Sequence, residues 1–409
     1  MLVLASGHAC VDACQGAVPA LLPFLVDRHG LSFAAASALV LATTVSSALV
    51  QPLFGAFSDR ISSPWMMSGG VMLGCAGVAV AGIMPSYPLV FAAVLLSGLG
   101  IAAYHPEGSR FANHVSGARR ATGMGYFSLG GNIGFALGPI FITPMVLIFG
   151  LTGTLAFLLP GAVIGLVLRS HLPHLLAFRP PPQPAHEPVS RADDSWRGLF
   201  GLIAVISCRS FAFYTLLALV PLYFIDVLDT SDATANAALT GMLVAGAIGT
   251  LAGGMLADRV GRRPVLIGSL LLQTPILLAA TLGGVGPAIV LFSLFGFVAI
   301  ASFSVTIIMG QEYLPSRIGL ASGFTLGAGV GIGGLAAPLF GWIGDEFGLT
   351  TSMQLLALLP LLGVVVALTL PTAAASSRNL AAARQDAKTR SRRSATASAG
   401  ASRGGGAAS

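Results

Sequence analysis

His8, Asp12 and Gln15 are spaced i, i+4 and i+7, so on a helix they share one face. About ninety residues later comes His105-Pro106-Glu107-Gly108-Ser109-Arg110. There Pro106 frees the carbonyl of Ala102 and bends a helix, while Glu107 and Arg110, at i and i+3, are placed to pair. Arg209 stands alone in an apolar stretch, and Glu312 and Arg317 flank Tyr313-Leu314-Pro315-Ser316. Imidazole and carboxylate groups exchange protons. A carboxylate that meets a partner in one conformation and loses it in another changes its proton affinity, which is what coupling to a proton gradient requires. His8, Asp12, Gln15, His105, Glu107, Arg110 and Arg209 are therefore the candidates for proton coupling or substrate binding, and Glu312 and Arg317 for a cytoplasmic gate.

The elements that carry these residues lie in lipid. Over 409 residues, 55% are hydrophobic and only 9% charged, with a mean hydropathy of +0.86, whereas a soluble chain carries about 25% charged residues. A spanning helix needs about 20 apolar residues. Twelve such runs occur, at roughly 2–26, 34–57, 65–84, 87–110, 121–142, 145–169, 199–225, 237–257, 264–283, 287–309, 318–342 and 350–370. Their length, with Gly and Pro inside them, is that of helices and not of alternating ten-residue barrel strands. A charge at the bilayer centre costs about 2.5–3.5 kcal/mol on insertion scales, so each intramembrane charge is a functional candidate.

With the N-terminus inside, every one of the 21 basic residues except Arg28 and Arg209 falls in a cytoplasmic loop or tail. Both termini are therefore expected in the cytoplasm, and the net charge of +6 reflects inner-leaflet anchoring and not nucleic-acid binding. The first span has no basic leader and contains His8 and Asp12, so it is expected to remain in the mature protein. Cys10, Cys14, Cys75 and Cys208 all lie in spans, so neither a disulfide framework nor a metal site is expected. The only lysine is Lys388 and no phosphate-binding loop is present, which argues against ATP-driven transport. Gly329 to Gly334 formally match a dinucleotide fingerprint but follow no strand, so no cofactor is expected.

The chain repeats itself. Gly254-Met255-Leu256-Ala257-Asp258-Arg259-Val260-Gly261-Arg262-Arg263 is a charged hinge between two apolar runs, and its first half recurs around Asp59 and Arg60. Pro139 and Pro338 share the same offset, and Pro23 and Pro221 nearly so. The expected architecture is an all-α membrane protein of twelve transmembrane helices in two pseudo-symmetric six-helix halves, residues 1–170 and 199–371. A cytoplasmic linker (171–198) joins them and a disordered tail (372–409) follows. The Pro23/Pro221 register sets Asp12 opposite Ser210, which predicts that Asp12 and Arg209 meet across the interface between halves. Gly254, Asp258, Arg259, Gly261, Arg262 and Arg263, with Asp59 and Arg60, read as conformational latches in which the acids pair with arginines of neighbouring spans. Gly125, Gly134, Gly138 and Pro139 follow G-x8-G-x3-G-P, and Gly130, Gly134 and Gly138 place one small residue per turn against a neighbouring helix. Gly241, Ala245, Gly249 and Gly253 repeat that device in span eight.

The hinge resembles the loop 2–3 signature of the major facilitator superfamily, and the glycine spacing of span five resembles the motif of its drug antiporters. Gly7 to Asp12, Tyr104 to Arg110 and Gln311 to Gly319 together look like the fosmidomycin-resistance branch. That resemblance implies a bacterial inner-membrane exporter of drugs or small amphiphilic solutes, driven by proton entry, with no cofactor or metal and no need of a partner chain. The first hinge departs from the pattern, since Ile61-Ser62-Ser63-Pro64 lacks the second glycine and the paired arginines. Span four also lacks a mid-helix basic residue, which leaves more of the coupling to Asp12, His105 and Glu107. Proton-linked uptake is the alternative within transporters. A metal hydrolase built on His105 and Glu107 is the alternative from another class, disfavoured because an i, i+2 pair points to different faces of a helix.

Overall fold

The computed structural model describes the chain except residues 49, 52, 55–62, 117–119, 178–193, 318–319, 322–323, 326–330 and 372–409, with only the backbone described for 120–122. Among the described residues there is no strand. The first half contains α1 (Leu2–His29), α2 (Phe33–Ala48), α3 (Trp65–Ala81), α4 (Tyr87–Val115), α5 (Arg120–Phe149) and α6 (Leu158–Ala177). The second contains α7 (Trp196–Asp226), α8 (Asp232–Val260), α9 (Arg262–Ala280), α10 (Val285–Ala301), α11 (Phe303–Tyr313), α12 (Ala336–Phe347), α13 (Leu349–Leu356) and α14 (Leu359–Thr369). Most of the linker, the whole tail, and Asp59 and Arg60 of the first hinge lie outside the described residues.

Helices dominate because in lipid every backbone N–H and C=O has to be bonded within the chain. The same constraint moves one boundary. The expected break between spans five and six fell at 143–144, beside two prolines, yet α5 runs through Pro139 and Pro144 to Phe149. A proline removes a single hydrogen bond, whereas ending the helix there would expose several unsatisfied groups. The reversal comes at Gly150, whose φ of 61° only glycine adopts freely, followed by a 3-10 segment Gly150–Phe157. The tenth span is also divided: α10 ends at Ala301, Ser302 interrupts it, and α11 resumes at Phe303.

Small residues decide which helices touch. α5 packs along α1. A Cβ added at Gly134 would run into the carbonyl of Ala9, one at Gly130 would sit 2.5 Å from the Ala5 carbonyl, and one at Gly138 2.6 Å from the Ala13 carbonyl. Gly125 departs from the expected stripe, because a Cβ there meets nothing within 4 Å; its position on the helix turns it away from α1. α8 repeats the arrangement against α10, with Gly249 and Gly253 over the carbonyls of Phe297 and Ala301.

The halves meet where α12 packs on α2, α5 on α8 and α1 on α7. Asp345 of α12 accepts hydrogen bonds from the backbone N–H groups of Phe33 (2.6 Å) and Ala34 (2.9 Å). A carboxylate of one half thus caps the positive end of a helix in the other. Deeper in, Asn236 of α8 donates to the Ala20 carbonyl of α1 at 3.0 Å. Both ties lie toward the bundle face opposite the hinges.

Two outcomes are expected. Gly134→Val costs about 1–3 kcal/mol through overpacking and lowers the melting temperature of the purified protein, whereas Gly125→Ala leaves it unchanged or raised; equal effects would remove the α1–α5 assignment. Asp345→Ala removes a cap worth about 1 kcal/mol. It increases labelling of cysteines introduced between α2 and α12 several-fold, and unchanged labelling would show that the cap does not hold this face shut.

Candidate functional site

His8 and Asp12 of α1 and His105 of α4 come together as one cluster. His8 Nε2 lies 3.3 Å from Asp12 Oδ2, His105 Nε2 lies 3.3 Å from Asp12 Oδ1, and the two Nε2 atoms are 3.1 Å apart. From Leu2 to Asp12 and from His105 to Val115 the climb is about 15 Å at 1.5 Å per residue, roughly half the hydrocarbon thickness. Despite that depth the side chains of His8, Asp12 and His105 retain 11%, 17% and 22% exposure, so the cluster borders open space inside the bundle.

The backbone fixes the tautomers. His8 Nδ1 faces the Phe127 carbonyl at 2.8 Å and His105 Nδ1 faces the Ile101 carbonyl at 2.8 Å. A carbonyl only accepts, so each Nδ1 carries the hydrogen and each neutral ring presents a lone pair at Nε2. Two lone pairs and a carboxylate cannot face one another at these distances unless a proton sits among them. The three groups lie within 4.8 Å of one another and form a compact seat for a shared cation.

Its walls were not legible in the sequence. Phe127 stacks on His8 with centroids 4.2 Å apart, and fully buried Tyr104 donates to the Leu4 carbonyl at 2.5 Å, pinning α4 to α1. Gly131 closes the remaining side: a Cβ there would lie 2.6 Å from both Asp12 Oδ2 and His8 Nε2. Gln15 is half-buried and stays outside the cluster.

Glu107 also stands apart, although only one residue separates it from His105. It is fully buried, pairs with Arg110 Nη2 at 2.6 Å, and its Oε1 accepts from the backbone N–H of Ser63, 3.3 Å away, next to the first hinge. The expected Glu107–Arg110 pair forms, and it faces the hinge instead of the His8–Asp12–His105 cluster, because i and i+2 diverge on a helix.

Arg209 does not meet Asp12. Asp12 is occupied by the two histidines, whereas Arg209 donates from Nη1 to Ser302 Oγ at 3.3 Å and lies with Cζ 5.6 Å from the Phe303 ring centroid. Arg209 and Asp12 thus lie on α7 and α1, helices that pack on each other, without pairing. The repeat register placed them on matching helices, but pseudo-symmetry fixes backbone positions and not side-chain directions. Cys10 and Cys14 likewise turn to Cys75, at 3.5 and 3.4 Å, and all four cysteines are free thiols.

A family model described as Major Facilitator Superfamily matches residues 4–234 and again 202–403. The chain belongs to the major facilitator superfamily. It is 32% identical over 376 residues to the uncharacterized MFS-type transporter YfnC of Bacillus subtilis (strain 168), covering 89% of this chain and 91% of that protein. It is 29% identical over 364 residues to the fosmidomycin resistance protein of Escherichia coli (strain K12), covering 88% and 89%. Among solved structures it resembles a bacterial homolog of the human lysosomal transporter Spinster in an inward-facing, occupied conformation, with a TM-score of 0.75, 16% identity, and 92% and 96% coverage. The inward-facing, unoccupied form of that homolog gives a TM-score of 0.74. A major facilitator is a multi-pass membrane transporter that carries small molecules by alternating access, and the hydrolase reading falls.

In this superfamily member the second hinge departs from the expected latch. Gly261, with φ 92°, turns the chain and throws Arg262 and Arg263 onto the following helix. There Arg262 pairs with Glu312 and Arg263 donates to the Leu368 carbonyl at 2.5 Å. Asp258 and Arg259 are exposed at the end of α8, and among the described residues Asp258 forms no ion pair. Gly254 faces Ser304 of α11, 3.5 Å from an added Cβ. Arg317 reaches Asp194 at 3.8 Å and stacks over Trp196, while Ser316 donates to the same carboxylate at 2.6 Å. None of these contacts joins the two halves: Arg262 with Glu312 stays within the second half as Glu107 with Arg110 and Ser63 stays within the first, and Asp194 ties the end of the linker to the second half. Asp194 and Asp345 were missed because each looks like an ordinary loop or helix-end acid; only the fold brings them to their partners.

The tautomer assignment is open to direct measurement. In 15N-histidine NMR spectra, His8 and His105 are expected to be protonated at Nδ1, with one ring protonated on both nitrogens. Neutral rings protonated at Nε2 would remove the shared-proton arrangement.

Proposed function

We infer that this transporter exports small amphiphilic organic solutes, drugs among them, in exchange for protons across the inner membrane of a bacterial cell, with the hinge face and both termini cytoplasmic, and that it works as a monomer. The single observation that carries the reading is the His8–Asp12–His105 seat, half-way through the bilayer, open to internal solvent and arranged so that its contacts are favourable only with a proton present. The placement of basic residues supports the orientation, and the relative named for fosmidomycin resistance supports the direction. On this reading the Asp345 cap and the Asn236–Ala20 bond close the external face, and Asp258 of the second hinge stands without an ion pair among the described residues.

The roles then divide. Asp12 with His8 and His105 takes up and releases the proton, while Glu107, Arg110 and Ser63 hold the first hinge. Arg262 with Glu312, and Arg317 with Asp194, order the cytoplasmic ends of the second half. One proton entering down 100 mV contributes about 2.3 kcal/mol, which sustains roughly a 40-fold gradient of a neutral solute.

In proteoliposomes, Asp12→Asn is expected to abolish pH-driven export while leaving solute counterflow, which needs no net proton movement, within about twofold. Glu107→Gln is expected to slow both alike, as a hinge residue does. Full pH-driven export by Asp12→Asn would overturn the coupling assignment, and influx accelerated by external acid would replace export with uptake.

A further inference from the structure

Asp12 Oδ1 is shielded from solvent and accepts no hydrogen bond, although His105 Nε2 lies 3.3 Å away. The reason lies on the far side of each ring. Both Nδ1 hydrogens are given to the carbonyls of Phe127 and Ile101, at 2.8 Å, so two Nε2 lone pairs and a carboxylate converge on one point. A single proton bridges one pair of these groups at a time. An ion with several coordination positions satisfies all three at once.

The spacing is that of a metal site. Zinc bonds of about 2.0–2.1 Å to imidazole nitrogen and carboxylate oxygen, at tetrahedral angles, set neighbouring donors about 3.3–3.4 Å apart. Here the separations are 3.3 Å from His8 Nε2 to Asp12 Oδ2, 3.3 Å from His105 Nε2 to Asp12 Oδ1, and 3.1 Å between the two Nε2 atoms. A metal-bound histidine almost always donates its other ring N–H to a carbonyl or carboxylate, which orients the ring and strengthens the donor. Both rings have that partner in place. His8 and Asp12 supply two donors from one helix face, and the third arrives from α4 only once the helices pack, beyond what spacing and family resemblance imply.

The donor set also selects the ion. Two imidazoles and one carboxylate suit zinc, cobalt(II) and nickel(II), whereas magnesium and calcium take oxygen ligands. Three protein donors leave a fourth position for water, unlike the closed four-donor shell of structural zinc. The exposure of His8, Asp12 and His105, 11%, 17% and 22%, gives an ion its approach from the space inside the bundle. Gly131 contributes by lacking a side chain, since a Cβ there would lie 2.6 Å from both Asp12 Oδ2 and His8 Nε2. The nearby thiols of Cys10, Cys14 and Cys75 turn to one another instead.

We propose that His8, Asp12 and His105 form a binding site for a divalent transition-metal ion of the zinc class, which takes the place of the shared proton and arrests proton exchange while it stays. The binding follows from the donor geometry; the arrest rests on the proton-coupling reading given above.

The test uses the full chain, purified without a histidine tag and held in nanodiscs, titrated with Zn2+ by calorimetry and with Co2+ by visible absorption. One Zn2+ per chain is expected to bind at the cluster, and Co2+ to show the intense bands of four-coordination. His8→Gln, Asp12→Asn and His105→Gln are each expected to weaken binding by roughly 100-fold or more, because loss of an outer-shell partner alone costs about 10- to 100-fold. His171→Gln combined with His174→Gln, which removes the exposed histidine pair of α6, is expected to leave binding unchanged. Should the cluster variants fail to fold, zinc-edge X-ray absorption of the wild-type chain reads the donors directly. Two imidazoles with oxygen are expected; sulfur at about 2.3 Å would place the ion at the cysteines and overturn the assignment. In proteoliposomes, saturating Zn2+ is expected to abolish pH-driven export, reversibly on chelation. No Zn2+ binding, binding undiminished in the three cluster variants, or wild-type export unaffected by Zn2+ where Asp12→Asn abolishes it would each overturn the proposal. Zn2+ binding together with full pH-driven export by Asp12→Asn would overturn the coupling reading and the arrest but not the site; coupling through Asp12 with no Zn2+ binding would overturn only the site.

Discussion

A carboxylate held half-way across a bilayer has no bulk water to solvate it, and the chain around Asp12 is arranged to replace that water. Two imidazoles supply the replacement, but only because each is turned by a backbone carbonyl: Phe127 O orients His8 and Ile101 O orients His105. These carbonyls belong to α5 and α4, so the cluster exists only when three helices are in register. The register is set by contacts that carry no charge. Gly130, Gly134 and Gly138 let α5 lie against the backbone of α1, and the Tyr104 hydroxyl fastens α4 to the Leu4 carbonyl. With no hydrophobic effect to drive helices together inside lipid, close packing of small residues performs that task, and the His8–Asp12–His105 cluster depends on it.

The polar contacts outside the cluster differ between the two ends of the bundle. Toward the face opposite the hinges, Asp345 and Asn236 bridge from one half to the other. At the hinge face the pairs Glu107–Arg110 and Arg262–Glu312 each remain within a half, and Asp194–Arg317 ties the linker to the second half. The described polar ties between the halves thus lie at the face opposite the hinges, and the pairs described at the hinge face do not join the two halves. Capping a helix with a carboxylate from the other half suits such a tie, since its contribution of about 1 kcal/mol is strong enough to bias a state and weak enough to be broken within a transport cycle.

The sequence made the membrane class, the span positions and the repeat legible because each rests on composition and on periodicity over many residues. It made the cluster only partly legible. His8 and Asp12 declare themselves by their i, i+4 spacing, and His105 by standing beside a proline in an apolar run, but nothing in the spacing joins α1 to α4. The expected Asp12–Arg209 pair does not form. It assumed that residues matched by an internal repeat face matching partners, whereas a side chain turns toward whichever complementary group lies within its few ångströms of reach. Glu107 was read with His105 because they are neighbours in sequence, and a helix sends such neighbours to different sides.

Arg209 is the opposite case to Asp12, a buried charge without a built-in counter-charge among the described residues. Packing α7 against α10 and α11 would be achieved at lower cost by an apolar side chain of similar volume, because removing a charge from a buried site usually costs nothing and often stabilises. Asp12 has its counter-charge built in, so its charge could serve packing alone. Arg209 has none among the described residues, and its one hydrogen bond to Ser302 does not offset the desolvation of a guanidinium.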